Sequence, residues 1–220
     1  MEKIDFKKKE KDIYNPKNEP TVILIPPMKF IMVDGKGNPN DTDGEYPSAV
    51  ELIYTFSYAI KMSPRNGFTP EGYYDYVVPP LEGLWWLTGD EYYHISKKDQ
   101  FCWTSMLRQP EFVTDEVFYW ALEVTKKKKP QLDLSKARLE TFNEGLCVQI
   151  MHHGPYDNEP ATVEKVDNYI KEQGYANDIS TVLPDGKIRR HHEIYLSDPS
   201  KAKPENMKTI IRHPVRRAFP

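Results

Sequence analysis

Hydrophobic and polar positions along this chain alternate in short runs, interrupted by three longer stretches in which apolar residues recur every three or four positions. Strict alternation sends neighbours to opposite faces of a strand, whereas the wider spacing makes one stripe on a helix. Strands are therefore expected at 22–25 (VILI, stopped by Pro26 and Pro27), 29–33 (KFIMV), 74–87, 101–108 (FCWTSMLR), 146–153 (LCVQIMHH), 191–199 (HHEIYLSDP) and within MKTIIRHPV at 207–215. Pro79-Pro80 inside the 74–87 run marks a bulge or an edge position. Helices are expected over 47–62, 112–130 and 160–173.

Each helix carries its own punctuation. Pro47 suits a first turn, and Ala49, Val50, Ile53, Phe56, Ser57 and Ile60 form one stripe that ends before Ser63-Pro64. In the second, Thr114 reads as an N-cap followed by Asp115 and Glu116, and four lysines precede Pro130, the charge order a helix dipole favours. Its expected buried face is Val117, Trp120, Ala121 and Val124. The third opens at Pro160, buries Val163, Val166 and Ile170, and stops at Gly174. The segment between the second helix and 146 reads as a polar linker around residues 131–140, and Pro184-Asp185-Gly186 as a hairpin turn leading into HHEIYLSDP.

The elements run strand, turn, helix, strand, strand, twice. Pro47, Val50 and Glu51 open the first helix as Pro160, Val163 and Glu164 open the third; Glu82 follows in the first half as Glu193 does in the second; Arg108-Gln109-Pro110 and Arg212-His213-Pro214 close the two last strands. The expected fold class is α+β: duplicated βαββ units with pseudo-twofold symmetry, a ligand groove between the halves, and an extra helix near 112–130. Residues 1–20 are an N-terminal arm, pinned by Ile4, Phe6, Ile13 and Tyr14. Residues 21–217 are one domain, divided into repeat one (21–110), an inserted helix and linker (111–140) and repeat two (141–217). Inter-repeat grooves are favoured small-molecule sites.

Composition narrows the function. The 220 residues carry a net charge of -3, which argues against a partner bound through phosphate neutralisation; no direct nucleic-acid role is expected. No stretch approaches membrane-span length and the first residues lack a signal-peptide core, so a cytoplasmic protein is expected. The two cysteines, Cys102 and Cys147, fall inside strands and read as reduced, buried side chains. Aromatics reach 12%, with 14 Tyr and 4 Trp, the stock for an aromatic-lined cavity or for a tyrosine-rich sheet. His152-His153 and His191-His192 suggest a metal, but adjacent strand residues face opposite ways and no Asp or Cys accompanies them, so structural histidines, no metal and no cofactor are expected.

Four segments together resemble the GyrI-like small-molecule-binding family: KFIMVDGKGNPN, PPLEGLWW, QIMHHGPYD with its proline-initiated helix, and HHEIYLSDP with TIIRHPV. The resemblance spans about residues 21–217, and GPY followed by EIYLSDP is its more specific part. It implies the duplicated βαββ fold and a glutamate, here Glu193, that meets the ligand in an aromatic pocket. Members of the family occur as effector-binding halves of multidrug-responsive activators and alone. Some stand-alone members resemble hydrolases that open the cyclopropane of spirocyclopropyl-cyclohexadienone genotoxins; others are linked to gyrase protection. This chain has no helix-turn-helix segment to spare.

The expected partner is a planar aromatic small molecule. Hydrolysis assigns Glu193 as general base, its pKa raised by burial, with Tyr58, Tyr156, His191 or Tyr195 donating to the dienone oxygen. Stacking walls are drawn from Trp85, Trp86, Tyr195, Tyr119 and Trp120, with Tyr58 as a further member. Trp85 and Trp86 point to opposite faces, and repeat equivalence with Glu82 matched to Glu193 favours Trp86, unless Pro79-Pro80 shifts the register. The helix at 112–130 reads as a lid or pocket wall. A non-catalytic drug-binding protein uses the same glutamate without chemistry.

Overall fold

A computed structural model describes residues 3–89, 97–198 and 201–218; Asp90 of the expected turn and Pro199, which closes the HHEIYLSDP run, lie outside them. In chain order come α1 (Phe6–Lys9), α2 (Lys11–Tyr14), β1 (Thr21–Ile25), β2 (Met28–Lys36), α3 (Glu45–Lys61), β3 (Leu81–Leu87), β4 (Phe101–Arg108), α4 (Asp115–Lys128), β5 (Ala137–Phe142), β6 (Gly145–His153), α5 (Glu159–Glu172), β7 (Tyr175–Asn177), β8 (His191–Tyr195) and β9 (Lys208–Arg217). The α+β class holds. Thr114 caps α4 as expected, its side chain accepting from the backbone N–H of Val117.

The strands form one antiparallel sheet in the order β1-β6-β9-β8-β3-β4-β2-β5, with β7 added on β9. Read inward, β1, β6, β9 and β8 come from one edge and β5, β2, β4 and β3 from the other, so β8 and β3 meet at the centre. That meeting has a definite register: Leu81 faces Tyr195, Gly83 faces Glu193 and Trp85 faces His191. Glu82 pairs with Ile194 instead. The expected match of Glu82 to Glu193 is therefore one residue out, and a one-residue slip moves a side chain to the other face of the sheet.

On one face α3 and α5 lie over the sheet. Ala49, Leu52, Ile53, Phe56, Ser57 and Ile60 of α3 are buried, while Val166 and Ile170 of α5 pack with Val148, Ile150, Ile211 and Val215. The helix α4 packs outside α3, where Phe118 stacks on Phe56 at 5.2 Å. Its buried residues are Val117, Phe118, Ala121 and Thr125. Trp120 and Val124 are only half-buried, because the stripe is rotated about one residue from the expected face to admit Phe118.

The other face is closed by the N-terminal arm. Phe6, Ile13 and Tyr14 are buried as expected, and ionic groups bind the arm to the sheet. Arg108 makes a two-pronged contact to Glu10 at 2.6 and 3.0 Å. Gln149 donates to the Asp12 carbonyl at 2.6 Å. Arg212 donates to the Ile13 carbonyl at 3.1 Å and to Glu144 at 2.9 Å. His192 sits between two carboxylates, with Nδ1 2.8 Å from Glu144 and Nε2 3.0 Å from Glu82.

Three features escape the pattern of the sequence. The expected polar linker contains β5, an edge strand whose half-buried residues ARLETF alternate charge with apolar groups. The expected strand at 74–87 forms only from Leu81, since Pro79 and Pro80 lack the N–H a ladder needs. The short β7 is also unforeseen. Both cysteines are free. No helix among the described residues is long and apolar enough to cross a membrane.

Candidate functional site

A cavity of about 750 Å³ opens over the β3–β8 seam, within the range of sites for drug-sized ligands. One wall is a second stripe on α3, distinct from its core stripe: Tyr46, Val50, Tyr54 and Tyr58 recur every four residues and line the cavity. The floor is Trp85 of β3 with Glu193 and Tyr195 of β8. Tyr156 and Glu159, at the start of α5, complete the far side, and Lys7 and Lys98 also contribute to the lining.

Ring contacts tie these walls together. Tyr46 lies 5.6 Å from Trp85 at a 34° tilt, and Tyr156 meets Tyr195 edge-on at 5.6 Å. Gly83 makes the floor possible: a Cβ there would lie 2.7 Å from Trp85 Nε1 and 3.2 Å from the Tyr195 hydroxyl. Because Gly83 has no side chain, Trp85 and Tyr195 close over it. The Trp85 indole then donates to the Tyr195 oxygen at 2.8 Å, and the Tyr195 hydroxyl donates to Glu193 Oε2 at 2.8 Å.

The other oxygen of Glu193 is 3.0 Å from His191 Nε2. Burial works to raise the pKa of Glu193, but the bonds from His191, Tyr195 and Glu159 outweigh it and hold the group below the ordinary carboxylate value. This corrects the expectation that burial raises it. The raised carboxyl is Glu159: buried to 1% exposure, with Glu193 charged beside it, it keeps its proton well above the usual range. Both effects follow from one rule, that two close carboxylates in a dry site do not both ionise. Neighbouring Tyr46, Tyr156 and Tyr195 are held neutral by burial and by the same Glu193 charge.

Of the residues singled out from the sequence, Glu193, Tyr58, Trp85, Tyr195 and Tyr156 line the cavity. His191 does not line it and stands behind Glu193, buried to 1% exposure. Trp86 is on the opposite face, under the Arg190 guanidinium at 4.5 Å. The favoured indole is thus Trp85, for the register reason given above. Tyr119 and Trp120 are away from the cavity: Tyr119 is 64% exposed, and Trp120 stacks on Phe68 at 4.8 Å. The α4 helix is therefore neither lid nor wall, since α3 stands between it and the sheet.

Sequence reasoning missed Glu159, Tyr46 and Tyr54. The α3 tyrosines were legible in the four-residue spacing of 46, 50, 54 and 58. Glu159 had a weaker signal, an acidic residue immediately before the helix-opening Pro160. The histidine pairs separate as expected of strand neighbours: His152 bonds Thr162 at 2.8 Å, His153 meets Asn18, and His192 belongs to the rear network.

Glu159, His191 and Glu193 bring one donor atom each within 4.8 Å of one another, the one such trio among the described residues. The carboxyls of Glu159 and Glu193 are partners for His191 that the spacing of the histidines did not reveal.

An antiparallel sheet with an aromatic cavity and one ionised carboxylate over its central seam defines a small-molecule-binding α+β protein. The profile of the GyrI-like small molecule binding domain matches residues 18–216, and the chain belongs to that family. A crystal structure of a hydrolase from Listeria innocua is 50% identical, covers 97% of this chain and 100% of its own, and has a TM-score of 0.85. A crystal structure of an uncharacterized conserved protein from Listeria innocua has the same identity and coverage, with a TM-score of 0.89. The C-terminal domain of EcmrR shares the fold at 13% identity, over 90% of this chain and 98% of its own, with a TM-score of 0.54. No match is found among curated proteins.

Proposed function

We propose that this protein is a detoxifying hydrolase that opens the cyclopropane of flat, aromatic spirocyclopropyl-cyclohexadienones. The carrying observation is the pair of buried carboxyls in the cavity wall, Glu193 held by His191 and Tyr195 with Glu159 beside it; burial raises Glu159 and those contacts lower Glu193. A base that stays charged without bulk water is what activation of a single water requires. The hydrolase from Listeria innocua, half identical over nearly the whole chain, supports a hydrolytic reaction.

In this reading Glu193 takes a proton from water as its oxygen attacks the ring methylene. The bond from that carbon to the spiro carbon breaks, its electron pair enters the six-membered ring, and the ring aromatises. The dienone oxygen becomes a phenolate and takes a proton from Tyr58 on the α3 wall. The proton gained by Glu193 returns through solvent to Tyr58, and Glu159, by keeping its own proton, leaves Glu193 ionised for the next turnover. Tyr46, Tyr54 and Trp85 supply the stacking surface, each aromatic contact contributing roughly 0.5–1.5 kcal/mol beyond area burial.

The test is incubation with a spirocyclopropyl dienone, followed by mass. Repeated turnover to the water adduct is expected, falling about 10²–10⁴-fold in Glu193→Gln while binding persists. Disappearance of one equivalent without turnover would sink the hydrolase reading. A second reading is favoured by the single net negative charge of the Glu159–Glu193 pair among aromatic rings: a non-catalytic site for planar cations. It predicts that a cationic planar dye binds more tightly than a neutral ligand of the same shape.

A further inference from the structure

Behind Glu193 runs a line of side chains that the reaction above does not use. His191 Nδ1 lies 2.8 Å from His213 Nε2 on β9, and His213 Nδ1 lies 3.4 Å from Asp167 Oδ1 on α5. Both histidines are buried to 1% exposure. The Asp167 side chain is 27% exposed, so the line runs from the cavity wall to the outer surface of α5.

Donor rules fix the protons along it. An indole N–H only donates, so the Tyr195 oxygen accepts from Trp85 and its O–H points to Glu193. An ionised carboxylate only accepts, so His191 must present Nε2–H to Glu193. With one proton, His191 then offers a bare Nδ1, and His213 donates to it from Nε2. With two protons on His191, Nδ1–H donates to His213, whose own Nδ1–H faces Asp167. Either arrangement keeps an N–H on Glu193. Without His213 the carboxylate still keeps Nε2–H toward itself, but the buried ring loses the contact at Nδ1 that holds it in place.

We propose that His213 and Asp167 are positioning residues for Glu193, holding the His191 ring against it from the α5 surface inward. The kinetic arm of the test rests on the hydrolase reading; the spectroscopic arm does not. Asp167, which also accepts from Asn177 at 3.2 Å, backs the His213 ring at the surface end of the line. Other titratable groups also face Glu193: Glu159 and Tyr156 from the start of α5, Tyr46 from α3 and His152 from β6. A shift in the profile is assigned to the line only when it appears in variants outside that set.

The experiment uses His213→Leu, His213→Gln and Asp167→Asn in the full chain with ¹⁵N-labelled histidine. In wild type, His191 is expected as the Nε2–H form or the doubly protonated ring. In His213→Leu the His191 Nδ1 resonance should move as its contact is lost, and His213→Gln, whose amide N–H still donates, should restore it. Unmoved His191 resonances in His213→Leu would overturn the proposal. With a dienone substrate, His213→Leu should lower kcat at least ~10-fold at nearly constant KM and move the acid limb upward. Asp167→Asn, on a partly exposed helix position, should shift the same limb by less. A lower melting temperature with unchanged limb and His191 resonances would also overturn it, leaving a structural histidine. Wild-type protein without turnover would refute the hydrolase reading, and the resonances would still decide this one.

Discussion

The rear network makes a prediction about stability that can be worked from its own groups. Burial acts to lower the pKa of His192, but Glu144 and then Glu82 outweigh it and raise the ring from 6.5 to about 9. At about 1.36 kcal/mol per pH unit, that difference corresponds to about 3 kcal/mol. Because the folded value is the higher one, the contribution is fully present below pH 6.5 and is lost as pH rises through about 9. Glu144 reports the same contact from its other end. Its burial is outweighed by His192 and Arg212, which hold it at about 2, so its share is present above the ordinary carboxylate value of 4.5 and is lost as pH falls through about 2. The two are one interaction and do not add.

Thermal unfolding from pH 6.5 to 9.5 is the assay. A loss of about 2–3 kcal/mol corresponds to roughly 4–12 °C for a chain of this size. Buried Tyr14 and Tyr76 and half-buried Tyr46, whose pKa values burial raises above the ordinary 10.0, destabilise the fold only at higher pH and stay outside the window. His192→Gln leaves Glu82 without its close cation and Glu144 with Arg212 alone, and should cost about 3–5 kcal/mol at neutral pH. Its alkaline decline should nevertheless be shallower than wild type, leaving the part due to Cys147, whose thiol burial holds well above the ordinary 9.0. Glu82→Gln, which keeps the Glu144 contact, should show a decline of intermediate depth. An alkaline slope in His192→Gln equal to wild type would refute the reasoning.

Gly83→Ala introduces a Cβ 2.7 Å from the Trp85 indole nitrogen; it should destabilise by roughly 1–3 kcal/mol and weaken ligand binding, checked by melting and by tryptophan fluorescence titration. Trp85→Phe should weaken a flat ligand about 2–10-fold, from the roughly 0.5–1.5 kcal/mol of a ring contact. Trp86→Phe should leave that affinity within about twofold. Equal losses in the two variants would mean that the cavity floor is not the face carrying Glu193.

Much of this was legible in the residues. The three helices, their caps and most strands follow from spacing and from proline and glycine, and Glu193 stood out as a carboxylate between an imidazole and a phenol on one face. What was not legible was tertiary. Whether Trp85 or Trp86 shares the face of Glu193 depends on which residue of β3 lies opposite it, and that residue is Gly83, silent in any pattern of apolar positions. Glu159 looked like ordinary helix-start acidity, because its burial arises from β8 lying beneath it. The rear network was hidden for a related reason. Arg212, His192 and Glu144 interrupt otherwise apolar stretches, and only the sheet order brings their charges together.

The two faces of β8 explain how one strand serves both. His191, Glu193 and Tyr195 point toward the cavity side, while His192 and Ile194 point to the rear. A buried carboxylate needs donors that do not move; His191 and Tyr195 ride on β8 itself and are held in turn by His213 of β9 and Trp85 of β3. The rear network joins the same three strands: His192 of β8 reaches Glu82 of β3, and Glu144 bridges it to Arg212 of β9. Arg212 continues to the arm. Charges on the rear face therefore hold the register that sets donor distances on the front. A GyrI-like pocket in which Glu193 stays charged has its rigidity supplied from behind the sheet, not from the aromatic walls that meet the ligand.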